Sequence, residues 1–219
     1  MFIFPAKAKF NRVLPKGKIY ANAKPAQSVK AKFVSQISEI VWKYKLSPET
    51  TNLAARDGFT EIQVFEITLR EPELASEVLQ AIDKAIPYPI LYRLFYEGRV
   101  KRVAACKRPA ADSSGKWVTE IYFETAWTDE SFPALPLPVA LDIRSLYEQM
   151  LFAYSELPPR PGEALTALVE RVRMMRQCRR DLRALAARMN SEKQFNRKVE
   201  LNARVREMQE RLRLLTVPC

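Results

Sequence analysis

The sequence predicts an α+β fold: a mixed four-stranded sheet in the order strand, helix, strand, strand, strand, with an N-terminal helix before it and a helical, coiled-coil-like region after it. Three observations carry this prediction. Residues 61–69 are apolar on both faces, as an interior strand must be. Three further β-rich stretches follow a single amphipathic helix. Beyond the prolines at 158–161, apolar residues step by threes and fours to the end of the chain.

Taken in order, residues 1–27 read as an irregular basic arm, punctuated by Pro5, Pro15 and Pro25. A helix is expected over 28–46, where Phe33, Ile37, Ile40, Val41 and Tyr44 recur at helical spacing and Ser28 can cap. Ser47 can cap a new turn that has Pro48 at its first position. The first strand is Glu61 to Leu69. Leu74, Val78, Leu79 and Ile82 then form the stripe of a helix that Ile86-Pro87 ends. Tyr88 to Glu97, the stretch around Val100 to Ala105, and Trp117 to Trp127 supply three more strands, joined by a tight turn at Glu97-Gly98 and by the polar loop Asp112-Ser113-Ser114-Gly115. The first two strands, connected through a helix, should be parallel, and the last three antiparallel.

A proline-bearing connector, 132–138, leads to a helix from Asp142 to Tyr154, which completes an α/β domain over 28–157. The stretch 157–162 cannot continue a helix and marks the boundary of a second region, 162–217. There Leu165, Leu168, Val172, Met175, Leu182, Leu185 and Met189 form one stripe, and Phe195, Val199, Val205, Met208, Leu212 and Leu215 another. An antiparallel hairpin is favoured over one long helix, because a lone helix leaves a stripe uncovered. Ser191 and Gln194 have capping-box spacing at the break.

Composition narrows the chemistry. With 47% hydrophobic and 28% charged residues the chain is globular, not disordered in bulk. It has no histidine, which removes Ser-His-Asp and Cys-His relays, histidine general bases and His-bearing zinc sites. None of its five glycines falls in a phosphate-cradling spacing. Cys106, Cys178 and Cys219 are widely spaced, which fits a reducing, cytoplasmic setting, and no segment approaches the length of a membrane span. Cys106 is expected in the core. The net charge of +11 is unevenly spread: residues 1–57 carry 11 basic and 3 acidic side chains, residues 58–160 carry 11 and 15, and residues 161–219 carry 14 and 7. Positive charge at both ends points to weak, sequence-indifferent contact with DNA phosphates.

Four sets of residues are candidates for function. Arg171, Arg173, Arg176, Arg179, Arg180 and Arg183 form a dense cluster whose guanidinium forks suit phosphate oxygens, against the alternative of a solvated helix face. Asp57, Glu61, Gln63 and Glu66 can be fitted to a Mg²⁺-dependent, restriction-endonuclease-like site, in which two carboxylates hold the metal; otherwise Gln63 and Glu66 are polar members of a central strand. Aromatics from Tyr88 to Trp127, interleaved with Arg93, Arg99, Lys101 and Arg102, could stack bases; as strand-face packing they would come with cross-strand pairs of Arg99 or Lys101 with Glu120 or Glu124. Met175, Leu182, Leu185, Met189, Phe195, Val199, Met208 and Leu212 offer more apolar surface than a lone hairpin hides, and so a partner-binding or self-association face.

Several stretches together carry a resemblance: Leu14 through Tyr20, Phe33-Val34-Ser35-Gln36-Ile37 running to Trp42 through Asn52, Glu61 through Ile67 running to Ile82 through Pro87, and Glu192 through Asn202. They resemble a bacterial family of unknown function whose members lie beside Swi/Snf-type helicases and DNA methyltransferases in restriction or phage-defence operons. That resemblance spans nearly the whole chain. It implies a genomic setting, with a helicase or methyltransferase subunit as partner, and transfers no catalytic residue or cofactor. The expectation is a non-enzymatic accessory subunit of a DNA-defence assembly, the alternative being the metal-dependent nuclease.

Overall fold

A computed structural model of the chain describes residues 2–110, 117–131 and 133–217, so the expected loop Asp112-Ser113-Ser114-Gly115, Phe132 of the connector and the terminal Cys219 lie outside the described residues. The chain divides into two compact units, Met1–Ser155 and Glu156–Cys219.

The sheet of the first unit is larger than expected. Its strands are β1 (Lys9–Val13), β2 (Ile37–Leu46), β3 (Ile62–Leu69), β4 (Ile90–Tyr96), β5 (Arg99–Pro109), β6 (Trp117–Glu124) and the short β7 (Thr128–Asp129). β1 to β6 lie side by side in chain order, and β7 pairs with β5. As expected, β3 and β4 are parallel while β4, β5 and β6 run antiparallel. The four-strand count is corrected by β1 and β2, which extend the sheet antiparallel from β3.

Both added strands come from segments with misleading local patterns. The helix expected over 28–46 stops halfway: α2 (Gln27–Gln36) starts after Ala26 rather than after a Ser28 cap, and the chain switches to β2 at Ile37. The residues from Ile37 to Tyr44 satisfy a helical stripe on paper, but their β-branched and aromatic side chains pair Ile40 with Ile67 and Trp42 with Phe65 on β3. The supposedly irregular arm contains β1 and α1 (Lys16–Ala23). As an edge strand, β1 exposes most of its side chains and has no apolar alternation to reveal it.

Three layers result. α1, α2 and α4 (Ser76–Ala85) cover one face of the sheet, where Ile19, Phe33, Val78 and Ile82 pack on Ile40, Phe65, Ile67, Tyr92 and Val103. Phe10, Trp42, Phe65 and Tyr92 form an aromatic ladder across β1 to β4, with ring centroids 4.2, 5.9 and 6.5 Å apart. Such ring pairs add about 0.5–1.5 kcal/mol each beyond area burial. Alternate residues point to the opposite face, where α5 (Ile143–Tyr154) lies and the Tyr147 hydroxyl donates to the Ala105 carbonyl. α5 starts on Asp142, whose carboxylate accepts from the Ser145 N–H at 2.7 Å. The expected Ser47 cap is present on the single turn α3 (Pro48–Thr51), with Thr50 completing a capping box.

One ionic pair is sealed inside this unit. Lys107 Nζ lies 2.6 Å from Asp83 Oδ1, both side chains almost fully buried, and donates to the Tyr88 carbonyl at 2.8 Å. The Tyr122 hydroxyl donates to the other Asp83 oxygen. Burial pulls the Lys107 amine below its ordinary value and the Asp83 carboxylate opposes that shift. Cys106 is buried beside it in the sequence, as expected of a core thiol.

The second unit is a helical hairpin. α6 (Leu165–Ser191) and α7 (Phe195–Thr216) are antiparallel: the Arg171 guanidinium reaches the Leu215 carbonyl at 3.0 Å, and the Cys178 thiol reaches the Met208 carbonyl at 3.4 Å. The expected Ser191–Gln194 capping box does not form. Glu192 instead accepts from the N–H groups of Lys193 and Gln194 at 2.8 and 2.9 Å.

The tyrosines make the fold sensitive to alkali. Burial, first among the causes, raises Tyr92, Tyr147 and Tyr122 above the ordinary phenol value and pushes Tyr154 up to about 12. The folded chain therefore keeps protons that the unfolded chain releases near pH 10, so this stabilisation is complete below that pH and is lost as pH rises through the folded values. We expect unfolding free energy to fall above about pH 10 by roughly 1.4 kcal/mol per pH unit for each such phenol. Tyrosinate absorbance and far-UV circular dichroism followed together should change in one step; ionisation of these phenols well before loss of helix would contradict the burial.

Candidate functional site

The structure separates the candidate carboxylates. Glu61 and Glu66 are five residues apart on one extended segment, and their partners confirm opposite faces. Glu61 is held by Lys45 Nζ and Gln63 Nε2, each at 2.6 Å, on the helix-covered face at the sheet's end. Glu66 lies on the α5 face, where Arg93 and Lys43 reach it at 2.6 and 2.9 Å. The β2 register shifts between Trp42 and Tyr44, a bulge that reverses the alternation and lets Lys43 and Lys45 serve opposite faces. Asp57 is exposed in a turn and bound by Arg144 at 2.6 Å. Among the described residues no three Asp, Glu or Cys side chains come together as a metal-ion cluster.

The arginines of α6 fall into two groups. Arg171 is buried and fully engaged: it meets both Glu163 oxygens at 2.6 and 2.7 Å and the Pro158 and Leu215 carbonyls. Arg176 and Arg179 share Glu156, and Arg173 reaches Glu170 at 3.4 Å. Arg180 bonds to Gln177 one turn back, and Arg183 to the Arg179 carbonyl; both are exposed. Four of the six arginines in this cluster are thus paired with a carboxylate.

The sheet aromatics are buried or half-buried. Tyr92 and Phe123 are fully buried, Lys101 pairs with Glu124 at 2.6 Å, and Arg108 pairs with Glu120 at 2.9 Å. These are packing contacts and cross-strand ion pairs.

The partner-face residues also divide. Met175 is fully buried, and Leu182, Leu185, Met208 and Leu212 are half-buried. At the hairpin tip, Phe195 is 79% and Val199 54% exposed. With Met189 and the stem of Lys198 they line a groove of about 300 Å³.

The least neutralised charge lies elsewhere. Residues 1–38 contain eight cations, Lys7, Lys9, Arg12, Lys16, Lys18, Lys24, Lys30 and Lys32, and no carboxylate, the first being Glu39. Lys32 alone of these pairs with an acid, Glu77, at 2.9 Å; among the described residues none of the other seven has an ion-pair partner. Instead, Arg12 lies over the Phe10 ring at 4.6 Å and Lys30 over Tyr20 at 5.7 Å. Neither α1 nor α2 has an acidic residue in its first turn to balance its helix dipole, and Lys16 and Lys18 stand in the first turn of α1. β1, α1 and α2 therefore form a folded edge of uncompensated positive charge. The absence of acids before Glu39 is legible in the sequence. A division at residue 57 hides it, by adding Glu39, Glu49 and Asp57 to the same segment.

The two arginine groups should respond differently to substitution. Arg171→Met strands the buried Glu163 carboxylate and is expected to cost about 3–5 kcal/mol in denaturant unfolding of the full chain, whereas Arg183→Gln should stay within about 0.5 kcal/mol of the parent. Equal effects would mean that Arg171 is not the hairpin's internal tie.

No curated protein and no solved structure matches the chain. Among the described residues no helix is long and apolar enough to cross a membrane. A family match does cover residues 2–212, through both units, and on that match the chain belongs to the domain-of-unknown-function family DUF4391.

Proposed function

We propose that this chain is a non-enzymatic accessory subunit of a bacterial DNA-defence assembly of restriction-modification type, acting in the cytoplasm, with its basic N-terminal edge on DNA and its hairpin tip on a helicase or methyltransferase subunit. The observation that carries the reading is the acid-free stretch 1–38, in which seven of eight cations have no ion-pair partner among the described residues. A surface built for stability alone would intersperse carboxylates, since like charges repel and the first turns of α1 and α2 disfavour lysine. Phosphates supply the missing counter-charge. Such contacts release condensed counterions and carry no base information, so binding is weak, salt-sensitive and sequence-indifferent. The resemblance of 33–52, 61–87 and 192–202 to proteins encoded beside helicases and methyltransferases supports the choice of assembly. The exposed Phe195 and Val199 support a protein partner at the tip.

Retention on duplex DNA across a salt series tests the first half. Replacing Lys7, Lys9, Lys18 and Lys24 by Gln should flatten the slope of log affinity against log salt by about 0.9 for each lysine that contacts phosphate, alike for unrelated sequences. An unchanged slope would remove the edge from the interface. For the second half, Phe195→Asp with Val199→Asp should abolish co-purification of the neighbouring helicase or methyltransferase while leaving DNA retention intact. Undiminished co-purification would move the docking face elsewhere.

A further inference from the structure

Two cations at the foot of the basic edge converge on one oxygen. Lys16 Nζ donates to the Ile37 carbonyl at 2.7 Å, and Arg70 Nε donates to the same carbonyl at 3.3 Å. Neither has an ion-pair partner among the described residues. A carbonyl dipole does not neutralise two full charges, and the repulsion is felt: burial first, and the Arg70 charge second, pull the Lys16 amine below its ordinary value. The chain holds like charges together at a point where an anion would relieve them.

A cleft opens beside this pair. Its volume is about 470 Å³, within the range of small-ligand sites. Val13, Leu14 and Pro15 make an apolar wall as β1 leads into α1, with Val13 61% exposed; Lys16, Ser38 and Thr68 supply an ammonium and two hydroxyls. Glu39, also on the lining, is exposed at the surface. The cleft therefore combines a cationic end for an anion with an apolar wall for something flat or ring-shaped attached to it. Arg12, Lys18 and Lys9 continue the positive edge from the same elements.

We propose that this cleft seats one nucleotide of a bound nucleic-acid strand, its phosphate drawn to Lys16 and Arg70 and its sugar or base laid on Val13, Leu14 and Pro15. The proposal deepens the nucleic-acid half of the function above and rests on it. A phosphate in the cleft gains charge-assisted hydrogen bonds from two donors, which are stronger than neutral ones. A single seated nucleotide also fixes the strand's register against the edge, which scattered surface lysines cannot do. The chemistry is shared by an internal phosphodiester and by a strand-terminal phosphate.

The experiment measures polarisation of a labelled short oligothymidylate on the full-length protein, with 5′-phosphorylated and 5′-hydroxyl forms compared. Arg70→Gln, which removes the cation that shares the Ile37 carbonyl with Lys16, and Val13→Asp, which places a carboxylate on the exposed wall, should each weaken binding about tenfold, against less than about twofold for Arg213→Gln, an exposed arginine paired with Glu210. Thermal melting of each variant checks that the fold is kept. Amide NMR shifts on adding the oligonucleotide should concentrate at residues 13–16, 38–40 and 68–70. A preference for the 5′-phosphate that disappears in Arg70→Gln identifies a strand end; equal affinity for both forms, with the variants still weakened, identifies an internal phosphodiester. If Arg70→Gln and Val13→Asp bind like the parent while the four-lysine variant loses affinity, the cleft proposal is overturned and the basic edge stands. If the parent itself binds no oligonucleotide and no duplex, both fall.

Discussion

An ammonium and a carboxylate removed from water tie the first unit together. Lys107 projects from β5 and Asp83 from α4, so their pairing fixes the helix that crosses between the parallel strands β3 and β4 to a strand two places along the sheet. Burying either charge alone would be prohibitive; together they are tolerated because the Tyr88 carbonyl and the Tyr122 hydroxyl satisfy the remaining donor and acceptor capacity. The geometry of α4 then sets much else. Val78, Leu79 and Ile82 must lie over Phe65, Ile67 and Tyr92, and α1 and α2 complete the same layer above β2 and β3. The basic edge exists as a surface because these helices are held there.

Charge is managed differently in the two units. In the hairpin several arginines are answered by carboxylates: Arg171 by Glu163, Arg173 by Glu170, Arg176 and Arg179 by Glu156, and Arg213 by Glu210, while Arg180 and Arg183 have no carboxylate partner among the described residues. In the N-terminal edge the cations, nearly all lysines, have no ion-pair partner among the described residues apart from Lys32 with Glu77. A net charge summed over a terminus treats the two alike, although only unanswered charge creates a field that reaches a phosphate. For that reason the DNA-facing surface we propose is β1, α1 and α2, although the arginine run of α6 is more conspicuous in sequence. At the hairpin's tip Phe195 and Val199 leave apolar surface exposed.

Read alone, the sequence determined the run from β3 to β6, the α4 and α5 helices, the Ser47 and Glu97-Gly98 turns, and the hairpin with its break near residue 191, because each leaves a periodicity or a cap within a few residues of chain. It also held, unread, the opposite facing of Glu61 and Glu66, since an odd spacing on a strand without a bulge between them puts two side chains on opposite sides. Tertiary structure alone decided three things. Residues 37–46 became a strand although Ile37, Ile40, Val41 and Tyr44 have helical spacing, because their β-branched and aromatic side chains also suit a strand and pairing with β3 decides between the two. Residues 9–13 became an edge strand because an exposed edge needs no apolar alternation and is defined only by its hydrogen bonds to β2. Lys16 and Arg70 became neighbours because the Ile37 carbonyl lies between elements 21 and 33 residues away in sequence, and no local pattern encodes a contact whose two sides are brought together only by the sheet.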